Sequence, residues 1–103
     1  MKKLNIFYTT CSDTEKAKKL SRKIISDNYA SCINIIKNID SCYKENQKIF
    51  NSTETILIIK TIKKFDEIEK YLNIYHPYEI PFIGKINMSS INKKYLDWIF
   101  KNL

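Results

Sequence analysis

Ile56-Leu57-Ile58-Ile59-Lys60-Thr61 is the stretch on which the fold turns. It closes a long strand-like segment running from about Lys48 to Ile62, and its four aliphatic residues occupy both parities of the pleat. Successive strand side chains point to opposite faces, so this strand is expected to be covered on both sides. Upstream, Ser31 to about Tyr43 reads as its partner, with Ile33, Ile35 and Ile36 again apolar on both faces. The polar Lys44-Glu45-Asn46-Gln47 joins the two as a hairpin without glycine, Asn46 being the residue best suited to positive φ.

The flanks complete the order of elements. Leu4 to Thr9 is a compact β-branched run, and Ser12-Asp13-Thr14-Glu15 has the form of a capping box. A helix is expected from there to about Asp27, burying Ala17, Leu20 and Ile24 at helical spacing. After the hairpin, Lys63 to Ile74 is a second amphipathic helix with Phe65, Ile68 and Leu72 on one stripe, stopped by Pro77. The connector His76-Pro77-Tyr78-Glu79-Ile80-Pro81 gathers the only histidine and both prolines of the chain, and it is the first place to look for a functional site. Phe82 to Met88 is a fourth strand, and Ser89 or Ser90 caps a terminal helix carrying Ile91, Tyr95, Trp98 and Ile99. The order β-α-β-β-α-β plus a helix predicts an α+β, ferredoxin-like sandwich: a four-stranded antiparallel sheet, two helices on one face and a long hairpin between the second and third strands.

Two helices cover one face only. The strands read as buried on both, so a second copy of the chain is the economical cover. Burying four further aliphatic side chains contributes roughly 6 to 12 kcal/mol before the costs of association, enough to favour an oligomer.

A length of 103 residues supports one domain, 1–103. The N-terminal apolar run is too short for a signal-peptide core or a membrane span, and the three cysteines, at 11, 32 and 42, form no C-x-x-C pair. A cytoplasmic protein with reduced thiols and no membrane contact is expected. The net charge of +7 invites anionic partners, but the lysines fall on the outer faces of the expected helices, where a solvated surface explains them. No aromatic RNA-binding motif accompanies them, so nucleic acid is not the expected partner. Glycine-rich phosphate loops, nucleophile elbows and paired-histidine motifs are absent, and the only arginine, Arg22, lies inside the first helix rather than in the first-loop phosphate cradle that acylphosphatases use. No catalytic residue is assigned and no enzyme is expected.

Four motifs in register, Ala30-Ser31-Cys32-Ile33-Asn34, Ile58-Ile59-Lys60-Thr61, His76-Pro77-Tyr78-Glu79 and Tyr95-Leu96-Asp97-Trp98, resemble the CutA family of divalent-cation tolerance proteins. The resemblance runs from about Thr9 to Trp98 and departs at the hairpin tip, where the family commonly has tryptophan and then glycine. It implies a homotrimer with PII-like architecture that binds copper or another divalent cation and acts in the response to metal ions. Cys32, His76 and Glu79 are the metal candidates it points to, since thiolate suits Cu(I), and imidazole and carboxylate suit Cu(II) or zinc. Tyr43, Glu54, Lys60, Tyr78 and Trp98 are candidates to line a cleft between subunits. All but Tyr78 have a plainer reading: His76 as a charged residue at a helix C-terminus, Cys32 as an inert core thiol, Glu54 and Glu79 as partners of lysines, Lys60 in a salt bridge or at an exposed strand end, Tyr43 and Trp98 as packing aromatics. The alternative function is a PII-like regulatory module holding a small anionic ligand between subunits, with Lys60 as its cation.

Overall fold

The structure is a computed structural model that describes residues 3–102. Its elements are β1 (Asn5–Cys11), α1 (Thr14–Ser26), β2 (Cys32–Glu45), β3 (Lys48–Thr61), α2 (Phe65–Tyr75), β4 (Gly84–Ile86) and α3 (Lys93–Lys101). The strands form one antiparallel sheet in the order β2-β3-β1-β4, the ferredoxin-like arrangement expected from the element order.

Parity assigns the two faces. Phe7 and Cys11 of β1 and Leu57 and Ile59 of β3 point to the face covered by α1 and α2, where they meet Ala17, Leu20, Ile24, Ile68, Tyr71 and Leu72 in the main core. Ile6 and Ile58, on the opposite face, pack with Leu4 beneath α3 through Ile99, Tyr95 and Leu96. The terminal helix therefore covers one end of the second face. Ile36 stays 45% exposed, Met88 54% and Trp98 50%, and Tyr43, Phe50 and Ile86 are exposed too.

Local chemistry explains where the elements begin and end. α1 is capped by Asp13, whose carboxylate accepts the Lys16 N–H at 2.8 Å, rather than by Ser12 as the capping-box spacing suggested. A carboxylate at the positive end of the helix dipole is the stronger acceptor. Asn28 leaves α1 in the left-handed region, with φ 62°, so that the Tyr29 N–H reaches the Ile24 carbonyl. α2 begins at Phe65 rather than Lys63, with Glu67 reaching back to the Lys64 N–H at 2.8 Å. Phe65 is consequently an exposed first-turn residue touching Phe7 across 6.1 Å between ring centroids, and Tyr71 takes the buried place on the stripe.

β4 is much shorter than the expected Phe82–Met88. It pairs only with Ile6, Phe7 and Tyr8, and Phe82 leaves the ladder to set its ring edge-on to Tyr8 at 5.5 Å. α3 is preceded by Asn92, not by Ser89 or Ser90, and that cap makes no side-chain hydrogen bond.

The hairpin holds two features that matter for the site. Asn46 and Gln47 both have positive φ, 50° and 66°, the two-residue turn whose twist matches paired strands. Between Ile36 and Ile39 the register shifts: Ile36 faces Ile56 while Ile39 faces Glu54, with Asn38 at φ 58°. One extra residue in β2 is a β-bulge, and beyond it the parity of the strand is reversed.

Candidate functional site

The connector is fixed by its histidine. α2 ends at Tyr75 because the residue before a proline is driven to extended backbone, and His76 adopts φ −67° and ψ 139°. That conformation turns the ring inward, leaving His76 7% exposed. Its Nε2 lies 2.9 Å from the Thr10 carbonyl oxygen, and its Nδ1 accepts the Tyr78 N–H at 2.9 Å. These partners require a neutral ring with the proton on Nε2. Burial pushes the His76 pKa down, outweighing the Thr10 carbonyl, which favours the charged form. The expectation of a charged histidine serving the helix dipole is thus corrected: the ring is a neutral clamp between β1 and the connector. Beside it, 3.9 Å from Nε2, lies Cys11 Sγ, fully buried, with burial and then the Asp13 and Glu54 charges pushing its pKa to about 11. A thiol so disposed is a core group, not a nucleophile.

The clamp places Tyr78 over the sheet face opposite the helices. Its hydroxyl donates to Glu54 at 2.6 Å. Partial burial works to raise the Glu54 pKa, but hydrogen bonds from Ser41, Tyr78 and Thr10 together hold the carboxyl below its usual range. Ser41 can contribute because of the bulge: without the extra residue in β2, Ser41 and Tyr43 would point to the other face. Around this carboxylate opens a groove of about 660 Å³ lined by Thr10, Ser41, Tyr43, Tyr78, Ile80 and Phe82. Tyr43 is held there by stacking on Phe50, its cross-strand partner, with centroids 5.8 Å apart.

A second constellation sits on the same face at the other end of the hairpin. Cys32 and Lys60 are directly paired across β2 and β3, at a level where α3 lies over the sheet. Lys60 Nζ donates to the Tyr95 hydroxyl at 3.4 Å and lies 5.0 Å from the centroid of the same ring, which in turn packs 5.7 Å from Trp98. Among the described residues Lys60 has no carboxylate partner, so the expected salt bridge is not made within the chain.

The candidate residues are therefore distributed over three places. Tyr43, Glu54 and Tyr78 meet in the groove, Lys60 and Trp98 meet through Tyr95, and His76 lies behind the connector. Cys32 and Thr10 are separated by about four residues along the sheet, roughly 13 Å, so Cys32 and His76 do not share a site within one chain. Glu79 is exposed, and among the described residues no three His, Cys, Asp or Glu side chains converge on a point where they could hold a metal ion. Both ring nitrogens of His76 are already engaged, which leaves it no lone pair for a metal. Sequence reading missed Thr10 and Ser41 as partners of Glu54, and Cys11 as the neighbour of His76. Strand parity carried Thr10 in principle; the bulge hid Ser41.

The family profile described as CutA1 divalent ion tolerance protein matches residues 5–102. This chain belongs to that family. The divalent-cation tolerance protein CutA of Archaeoglobus fulgidus is 32% identical over 96 residues, covering 92% of this chain and 93% of that protein. The chloroplastic CutA of Arabidopsis thaliana is 32% identical over 95 residues, covering 91% of this chain but 52% of that protein, so the chain spans about half the length of some of the curated CutA relatives it matches. Among solved structures, CutA1 of Ehrlichia chaffeensis superposes with a TM-score of 0.90 at 30% identity, covering 98% of this chain and 95% of that one. A structure of the A. fulgidus protein, described as a periplasmic divalent cation tolerance protein, gives 0.88 at 31% identity, covering 97% and 98%. No described helix is long and apolar enough to cross a membrane.

Proposed function

We propose that this CutA1 family chain acts as a homotrimer in the response to divalent metal ions, binding copper or a related cation without catalysing a reaction. The observation that carries this reading is the second sheet face. α3 covers only one end of it, while Ile36, Tyr43, Phe50 and Ile86 stay exposed on the strands, Met88 just beyond β4 and Trp98 on α3 itself. Copies packed through that face would bury those side chains and close the groove around Glu54 from outside. A binding role is supported by the state of the groups a reaction would need: Cys11 is a buried thiol pushed to about 11 and His76 is locked neutral. Three free cysteines suit a reducing, cytoplasmic setting.

In this reading the cation's ligands come from more than one copy, because Cys32 and Glu79 stand apart within one chain and both ring nitrogens of His76, the third candidate, are engaged by Thr10 and Tyr78. Glu79 is the exposed carboxylate of the three, and Cys32 is half-buried beneath α3. Native mass spectrometry of the reduced protein with and without stoichiometric copper tests both halves of the proposal. A trimer that takes up copper, and takes up less as Glu79→Gln, is the expected result; a monomer overturns the assembly, and a trimer that ignores copper overturns the metal role.

One observation favours a second reading, a small anionic ligand held between copies. Lys60 is a half-buried cation whose nearest partner is a neutral hydroxyl, leaving charge for an anion to meet. Lys60→Met should abolish binding of such a ligand, with inorganic phosphate and small dicarboxylates as probes in calorimetry; unchanged heats would remove this reading.

A further inference from the structure

The grouping of Cys32, Lys60 and Tyr95 is used by neither the groove nor the connector. Cys32 and Lys60 face each other in an antiparallel pair, on the same side of the sheet, where Cβ atoms of opposed residues lie about 5 Å apart. Lys60 Nζ is 3.4 Å from the Tyr95 hydroxyl, and burial and then the neighbouring Cys32 push the Tyr95 pKa up. The three side chains are half-buried, shielded by α3 yet open to a small dissolved molecule. Neither end is tied up elsewhere. Cys32 is a free thiol, and Lys60 has no carboxylate partner among the described residues.

We propose that Cys32 and Lys60 are an oxidative cross-linking site, in which dioxygen joins the thiol sulfur and the lysine nitrogen through a single oxygen atom. The reaction takes one thiol, one neutral amine and one molecule of dioxygen to a sulfur-oxygen-nitrogen bridge and one water. The S–H bond, one N–H bond and the O–O bond break; S–O and O–N bonds form; the two hydrogens leave with the second oxygen as water. Sulfur and nitrogen each give up two electrons, and dioxygen accepts all four. The ammonium first releases its extra proton to solvent, and the Tyr95 hydroxyl, 3.4 Å from Lys60 Nζ, holds the amine on the side of the sheet that Cys32 shares. The bridge would fasten β2 to β3 at the base of the hairpin and remove a half-buried cation from that face, so its formation would report oxidant exposure as a change in surface charge.

Intact-mass spectrometry of the whole chain reads this directly. Gain of one oxygen with loss of two hydrogens raises the mass by about 14 Da, whereas oxidation of a thiol alone adds whole oxygens, about 16 or 32 Da. Protein held in air-saturated buffer should gain the smaller increment, lose it on treatment with dithiothreitol, and yield a tryptic species linking the Cys32 and Lys60 peptides. Cys32→Ser and Lys60→Arg should each abolish the gain, the latter while keeping the charge; Cys42→Ser should retain it, and Tyr95→Phe should slow it. Circular dichroism of each variant confirms that it is folded. Only whole-oxygen additions in the native chain, or the smaller gain persisting in folded Lys60→Arg, would overturn the assignment.

Discussion

His76 contributes through its bonds rather than through its charge. Replacing it by alanine removes a buried ring and leaves the Tyr78 N–H and the Thr10 carbonyl short of partners, at a cost of about 2 to 4 kcal/mol. Urea denaturation of His76→Ala measures that loss. Protonation attacks the same bonds. The folded pKa lies below the ordinary value of 6.5, so the unfolded chain binds the proton first; the stabilisation is present above pH 6.5 and is lost as pH falls through the folded pKa. Stability measured from pH 7 to pH 5 should fall, and His76→Gln should flatten the slope. Tyr78→Phe tests the other end of the connector. It removes one of the hydroxyls that hold Glu54 ionised, so the Glu54 pKa should rise in a carboxyl-detected NMR titration; an unmoved value would show that Ser41 and Thr10 suffice.

Among the elements, the hairpin shows best what sequence reading could and could not reach. Its two strands, its glycine-free turn and the positive φ of Asn46 were all legible, because alternation, β-branching and a polar tetrapeptide are local signals. Gln47 was not singled out, since nothing in a glutamine announces left-handed backbone. That conformation costs a residue with a β-carbon about 1 kcal/mol, and Gln47→Gly should return roughly that much in thermal denaturation, provided the turn keeps its type. The bulge was invisible for a different reason. Ile35, Ile36 and Ile39 satisfy either parity, so the place where the register slips is set by pairing with β3 and not by composition. Because the slip decides which face Ser41 and Tyr43 occupy, the composition of the groove could not be read before the pairing was known. The short β4 has the same origin, in a contact, Phe82 on Tyr8, between residues that lie far apart in sequence.

For the molecule as a whole, the fold was legible and the metal site was not. Element order fixes a ferredoxin-like sheet almost uniquely, whereas convergence of Cys32, His76 and Glu79 is a matter of three-dimensional placement that resemblance alone cannot supply. Assembly is the property that tests the molecule at this scale. Charged substitutions in the open face, such as Ile36→Lys, should leave the main core intact and shift sedimentation toward a single copy. If Ile36→Lys sediments as the parent does, copies do not meet through this face.

The bulge near Asn38 also acts mechanically. From there the ladder runs out to Asn46 and Gln47 at the far end of a chain whose longest dimension is 47 Å. At about 3.3 Å per residue that arm is some 26 Å long, so a swing of only ~10° at its root carries the tip roughly 4 to 5 Å. The single extra residue is thus the fulcrum of a lever, and a substitution at Asn38 that alters the local bend by a few degrees would be felt most at the end of the arm, far from the residues of the main core.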